Sequence, residues 1–158
     1  MSAGTPLSTA AAPESLPGDW RAGLAGGVVG GAVSAALLFA VDPAVLSIVL
    51  PAMYGLGPSS VAAGTAVHVA HGGVLGVGFA AVVDVTDRSG ASPGQQVGLG
   101  LAYGLLWGVL AAVVMPVWLS AVGFEAAPAV PDLGRASPVG HAAYGAFLGA
   151  AYHALEGL

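Results

Sequence analysis

The side chains that could do acid–base or ligand chemistry are few, and most sit inside or beside long apolar blocks. His68 and His71 are three residues apart, so in a helix they share a face. His141 and Tyr144 repeat that spacing, and Asp42 closes the first apolar block. Asp42, His68, His71, His141 and Tyr144 are therefore expected to gather at one end of a helical bundle. Imidazoles with a carboxylate can ligate a transition metal, histidines on facing helices can hold haem iron, and histidine with aspartate can relay protons. If a metal is bound, His68 and His141 are its expected ligands. The competing role is ordinary glue, a polar hydrogen bond between neighbouring helices, and it is the commoner one. His153 lies about 18 Å along the helix from His141 and belongs to the other end.

No other motif carries chemistry. Gly90-Ala-Ser-Pro-Gly94 has the letters of a nucleophile elbow, but it lies in a polar linker where Ser-Pro-Gly is turn composition. With no cysteine there is no thiolate, disulfide or covalent haem attachment, and with no lysine there is no Schiff base. Three basic residues and a net charge of −5 give no patch for a phosphate backbone, so nucleic acid is not an expected partner. No cofactor is expected either, beyond the open alternative of haem or a transition metal at the histidines. Trp107, Trp118, Tyr54 and Tyr103 read as interface anchors or packing groups.

These residues must be positioned by elements suited to lipid. Only 7% of the residues are charged, against roughly a quarter in soluble domains, and 56% are hydrophobic. The apolar residues fall in four blocks of membrane-spanning length, and helices are expected near 22–42, 60–84, 97–122 and 138–156. Ser137 is the expected N-cap of the last, with Pro138 at its first position. Pro43 and Pro116 should mark matched kinks or helix ends. Residues 1–20 lack an apolar period and read as a mobile tail without signal-peptide character, so the first span should act as an uncleaved anchor.

Shifting the chain by 73 residues superimposes it on itself without a gap. Gly27 falls on Gly100, Gly31 on Gly104, Pro43 on Pro116, Pro58 on Pro131, and His68 on His141. The stretch from His68, HVAHGGVLGVGF, lies on HAAYGAFLGAAY from His141. Such fixed-shift similarity indicates duplication. The expected organisation is a tail (1–20), a first repeat (21–85), a linker (86–93) and a second repeat (94–158). Two spans per repeat give both copies the same orientation. The expected fold is thus an all-α four-helix transmembrane bundle with a pseudo-twofold axis along the membrane normal. Small residues four apart, Gly27, Gly31 and Ala35, Gly72 and Gly76, Gly100, Gly104 and Gly108, and Gly145 and Gly149, form ridges for close helix packing.

Arg21 and Arg88 lie on the side of the termini and Arg135 lies opposite, which favours cytoplasmic termini in a multi-pass protein of the cell membrane. The lipid bilayer is the expected partner, with a homo-oligomer or a larger membrane complex left open.

Ala-Tyr-Gly-Leu-Leu-Trp-Gly at 102–108, Met115-Pro-Val-Trp-Leu119 and Val139-Gly-His-Ala-Ala-Tyr-Gly145 resemble a family of small four-span membrane proteins of halophilic archaea. Members of that family are often labelled histidine kinase although they lack a kinase domain. The resemblance implies the fold and the membrane setting and carries no activity. The expected role is non-enzymatic, an accessory subunit or small carrier. The alternative is a redox, metal-binding or haem-binding membrane protein that uses His68 and His141.

Overall fold

The computed structural model describes residues 18–57, 59–134 and 136–157. Most of the expected tail and Arg135 lie outside them. The described chain is helical throughout, with no strand among the described residues. Helix α1 spans Trp20–Val41 and is followed by a short segment, π-wound at Val45–Val49 and α-helical at Leu50–Ala52 (α2). The remaining helices are α3 (Val61–Val85), α4 (Pro93–Ala121) and α5 (Ala136–Leu155).

Local chemistry sets the ends. Asp19 caps α1 by accepting from Ala22 N–H at 3.0 Å. Pro43 ends it, because a proline disfavours helical geometry at the residue before it, and Asp42 is extended there (φ −148°, ψ 82°). Ser60 caps α3 by accepting from Ala63 N–H at 3.2 Å. At the start of α4 the Gln95 side-chain oxygen accepts from the backbone N–H and the hydroxyl of Ser92, both at 3.1 Å. Pro93 is at the first helical position. The helix thus begins four residues before its expected start at 97, and Ser92 of the Gly-x-Ser-x-Gly stretch is a helix cap. Helix α5 starts at Ala136, so Ser137 lies inside the helix instead of capping it.

The two prolines expected to behave alike do not. Helix α1 stops before Pro43, whereas α4 runs through Pro116 to Ala121. Pro116 has no N–H to give the carbonyl of Ala112, four residues back. Asp132 N–H, returning from the following loop, donates to that oxygen at 2.7 Å. Likewise Ser47 O, four residues before Pro51, accepts from Ser60 N–H at 2.8 Å. Where water is scarce, freed backbone groups need such replacements.

Helix α1 packs against both α3 and α5, and α5 also packs against α4. Glycines set the closest approaches. A Cβ on Gly27 would overlap the Gly72 carbonyl oxygen, and one on Gly76 would overlap that of Gly23. Between α4 and α5, a Cβ on Gly100 would overlap the Gly145 oxygen, and one on Gly149 the Gln96 oxygen. Gly26 and Gly30 face Leu148 and Tyr144 of α5 at a slightly wider spacing. Helices α3 and α4 instead meet through side chains. The Phe79 and Tyr103 ring centroids are 5.5 Å apart, and the Tyr103 hydroxyl donates to Leu75 O at 2.8 Å.

Three helices, α1, α3 and α4, are long and apolar enough to cross a membrane, which supports a membrane protein. Their outer faces carry exposed valines and leucines such as Val74, Leu106 and Val109. Helix α5 is 20 residues long but holds two histidines and two tyrosines, so it falls short of the apolar character of the other three.

Candidate polar cluster between the helices

His68 projects from α3 toward α1, where its Nε2 lies 2.8 Å from Ser34 Oγ. Ser34 is 2% exposed, and its hydroxyl donates to Gly31 O at 3.2 Å. A hydroxyl has one hydrogen to give, so Ser34 donates either to Gly31 O or to His68 Nε2, and the histidine tautomer sets which.

His71, one turn further along α3, bonds through Nε2 to the Tyr54 hydroxyl just after α2, and the two rings lie 5.7 Å apart. His141 sits on α5 against α4. A Cβ added to Gly108 would lie 3.1 Å from its Cβ and Cγ, so Gly108 makes room for the imidazole. Tyr144 donates its hydroxyl hydrogen to Gly72 O at 2.8 Å, tying α5 to α3.

Asp42 stands apart. Its side chain is exposed and accepts from Ala44 N–H at 3.2 Å, so it serves the turn after α1. Among the described residues no three His, Cys, Asp or Glu side chains come together in a way that could hold a metal ion. The contacts described are a Ser34–His68 bond, a Tyr54–His71 bond, His141 packed on Gly108, and Tyr144 bridging two helices.

One partner, Ser34, was missed from the sequence, and Tyr54 and Tyr103, read there as anchors or packing groups, make hydrogen bonds as well. Ser34 is the only hydroxyl-bearing residue within α1, and its facing His68 could be found only by knowing how the helices cross. Tyr54 gave no signal beyond its aromatic character. Tyr103, read as an anchor or packing group, hydrogen-bonds the α3 backbone.

At the opposite end, Asp19 also accepts from Gly157 N–H at 2.9 Å. That bond and the one from Ala22 hold the Asp19 carboxyl below its ordinary value of 3.8. Glu156 accepts from Gly90 N–H at 3.0 Å, and Gln96 donates to Arg88 O at 2.8 Å. Gln96 Oε1, the Tyr152 hydroxyl and His153 Nδ1 are enclosed without a hydrogen-bond partner among the described residues.

No family model, curated protein or solved structure matches the chain.

Proposed function

We propose that this chain is a non-enzymatic integral membrane protein, an accessory subunit and not a carrier. In this reading it is a four-span bundle of two tandem two-helix repeats in the cell membrane, with cytoplasmic termini and relatives among the small four-span proteins of halophilic archaea. The observation that carries the accessory role is the filled interior. Phe79, Val83, Leu148 and Tyr152 are fully buried where the helices converge, and the inward tyrosines Tyr103 and Tyr144 are spent on backbone carbonyls. A carrier needs a central polar cavity for its cargo.

Duplication is supported by equivalent contacts in the two halves. Gly27 meets Gly72 and Gly76, and the residues 73 positions on, Gly100, Gly145 and Gly149, meet in the same way. The halves diverge where Gly26 and Gly30 are replaced by Leu99 and Tyr103, which accounts for α1 nestling against α5 while α4 stands off from α3. A fourth crossing by α5 is supported at its far end, where Gly157 bonds Asp19 at the start of α1 and Glu156 bonds the turn between α3 and α4.

The rival reading, a haem or metal protein using His68 and His141, rests on their equivalent positions in the two repeats. An optical spectrum and metal analysis of the purified protein separate the two. A spectrum without a haem band and less than stoichiometric metal are expected; a haem band or stoichiometric copper or zinc would overturn the proposal. Proton or solute flux through proteoliposomes holding the purified protein alone would equally replace the accessory role with a carrier.

A further inference from the structure

We infer that the loop after α4, residues 122–134, is a strap held down along that helix by the carbonyl that Pro116 frees, and that it covers the crevice leading to His141. Helix α4 ends at Ala121, yet the loop returns as far as Ala112, where Asp132 N–H donates to the carbonyl oxygen at 2.7 Å. Nine residues of helix separate those points, so the loop descends about 14 Å along α4. The acceptor exists because of the proline. In an uninterrupted helix the N–H of residue 116 would occupy Ala112 O, and Pro116 has none to give.

What the strap covers is specific. Leu133 of the strap and Pro138 of α5 line a small apolar crevice of about 120 Å³ with Leu105, Gly108 and Val109 of α4. Gly108 is the residue over which the His141 ring lies. With the strap down, Leu133 stands over that crevice. With it released, the crevice opens beside the imidazole. Among the described residues the strap is also tied near the helix end, where Phe124 N–H donates to Leu119 O at 2.9 Å, and it turns on itself where Ala127 N–H donates to Phe124 O at 3.0 Å. Loss of the Asp132 bond should therefore free the segment between Ala127 and α5 without unwinding α4.

Two variants test this from opposite sides. Pro116→Ala restores a helical N–H that competes for Ala112 O, and Asp132→Pro removes the strap's donor without touching α4. In nanodiscs, hydrogen exchange at the Asp132 amide should quicken about five- to tenfold in Pro116→Ala, the scale of one lost hydrogen bond. The chain has no cysteine, so His141→Cys gives a single reporter. Its reaction with a membrane-permeant maleimide should quicken by a similar factor when combined with Asp132→Pro. Unchanged exchange in Pro116→Ala, or unchanged labelling in the Asp132→Pro background, would overturn the strap. Should either variant fail to fold, the other decides alone, since they alter different elements.

Discussion

The Tyr144 hydroxyl on α5 donates to the Gly72 carbonyl on α3 at 2.8 Å, joining two helices that also meet where the Phe79 and Tyr152 rings pack edge-on at 5.4 Å. Both helices lean on α1, and Tyr144 spans the gap between them. Tyr144→Phe keeps the ring and removes only the bond. In a membrane bundle such a bond contributes about 0.6 kcal/mol on average and at most about 1.7. The variant should unfold with a loss in that range in denaturant titrations of the purified protein. A loss several-fold larger would mean that the hydroxyl does more than tie the two helices.

The glycine contacts predict a sharper contrast. Gly27→Val should destabilise by more than about 2 kcal/mol, because its Cβ would overlap the Gly72 oxygen and backbone cannot give way as a flexible side chain can. Gly98→Ala, on the same α4 that carries Gly100, has nothing within 4 Å of the added carbon. It should be neutral or stabilising by up to about 1 kcal/mol through helix propensity. Thermal unfolding of the pair checks both, and equal effects would show that glycine content, not contact, governs stability.

Acid should loosen one tie between the two ends of the chain. The Asp19 carboxyl is lowered in the folded protein by Gly157 and then Ala22. A depressed carboxyl contributes stability that is present above its unfolded value, near 3.8, and is lost as the pH falls through the lower folded value. Asp19→Asn keeps one oxygen for Ala22 and loses the one that holds Gly157. Its melting temperature should lie below that of the wild type at pH 7, and the difference should shrink toward zero well below pH 3.8. A difference that persists undiminished in strong acid would assign the effect to packing instead of charge.

How far the sequence could be read depended on whether a feature was local. The glycine spacings, the stop at Asp42-Pro43 and the helical nature of each apolar block are local, and α1 and α3 fall within two residues of the expected bounds. The early start of α4 was local too. Ser92, Pro93 and Gln95 form a helix-start pattern that the surrounding turn residues disguised. By contrast, nothing in the spacing around Pro116 reveals that Asp132 will answer Ala112, since that bond depends on where a loop returns. The gathering of Asp42 with the histidines failed for a related reason. Lying next to Pro43, Asp42 serves its own turn at Ala44, a nearer partner than any other helix offers.

Four crossings give a labelling pattern that three do not. With no native cysteine, single cysteines at Ser89, Ala126 and Gly157 report three positions with an impermeant maleimide in oriented vesicles. If α5 crosses, Ser89→Cys and Gly157→Cys react from one side and Ala126→Cys from the other. If α5 stays on one surface, Gly157→Cys reacts together with Ala126→Cys.

The Ser34–His68 bond is the most informative single contact, because it separates packing from chemistry in the histidine cluster. A double-mutant cycle with Ser34→Ala and His68→Gln isolates their coupling, expected at about 0.5 to 1.7 kcal/mol for an interhelical bond in a membrane protein. Ser34 is buried, so its removal also leaves His68 Nε2 without its hydrogen-bond partner on α1. That unpaired group should make Ser34→Ala more costly than His68→Phe, which deletes the ring nitrogen itself. At the equivalent position in the second half, Trp107 stands where the first has Ser34, and His141 rests over Gly108. Enlarging Gly108 to Leu should disturb His141 more than Ala35→Leu disturbs His68. If His68→Phe proves the most destabilising of the set, the imidazole is held by more than Ser34, and its Nδ1 becomes the atom to examine.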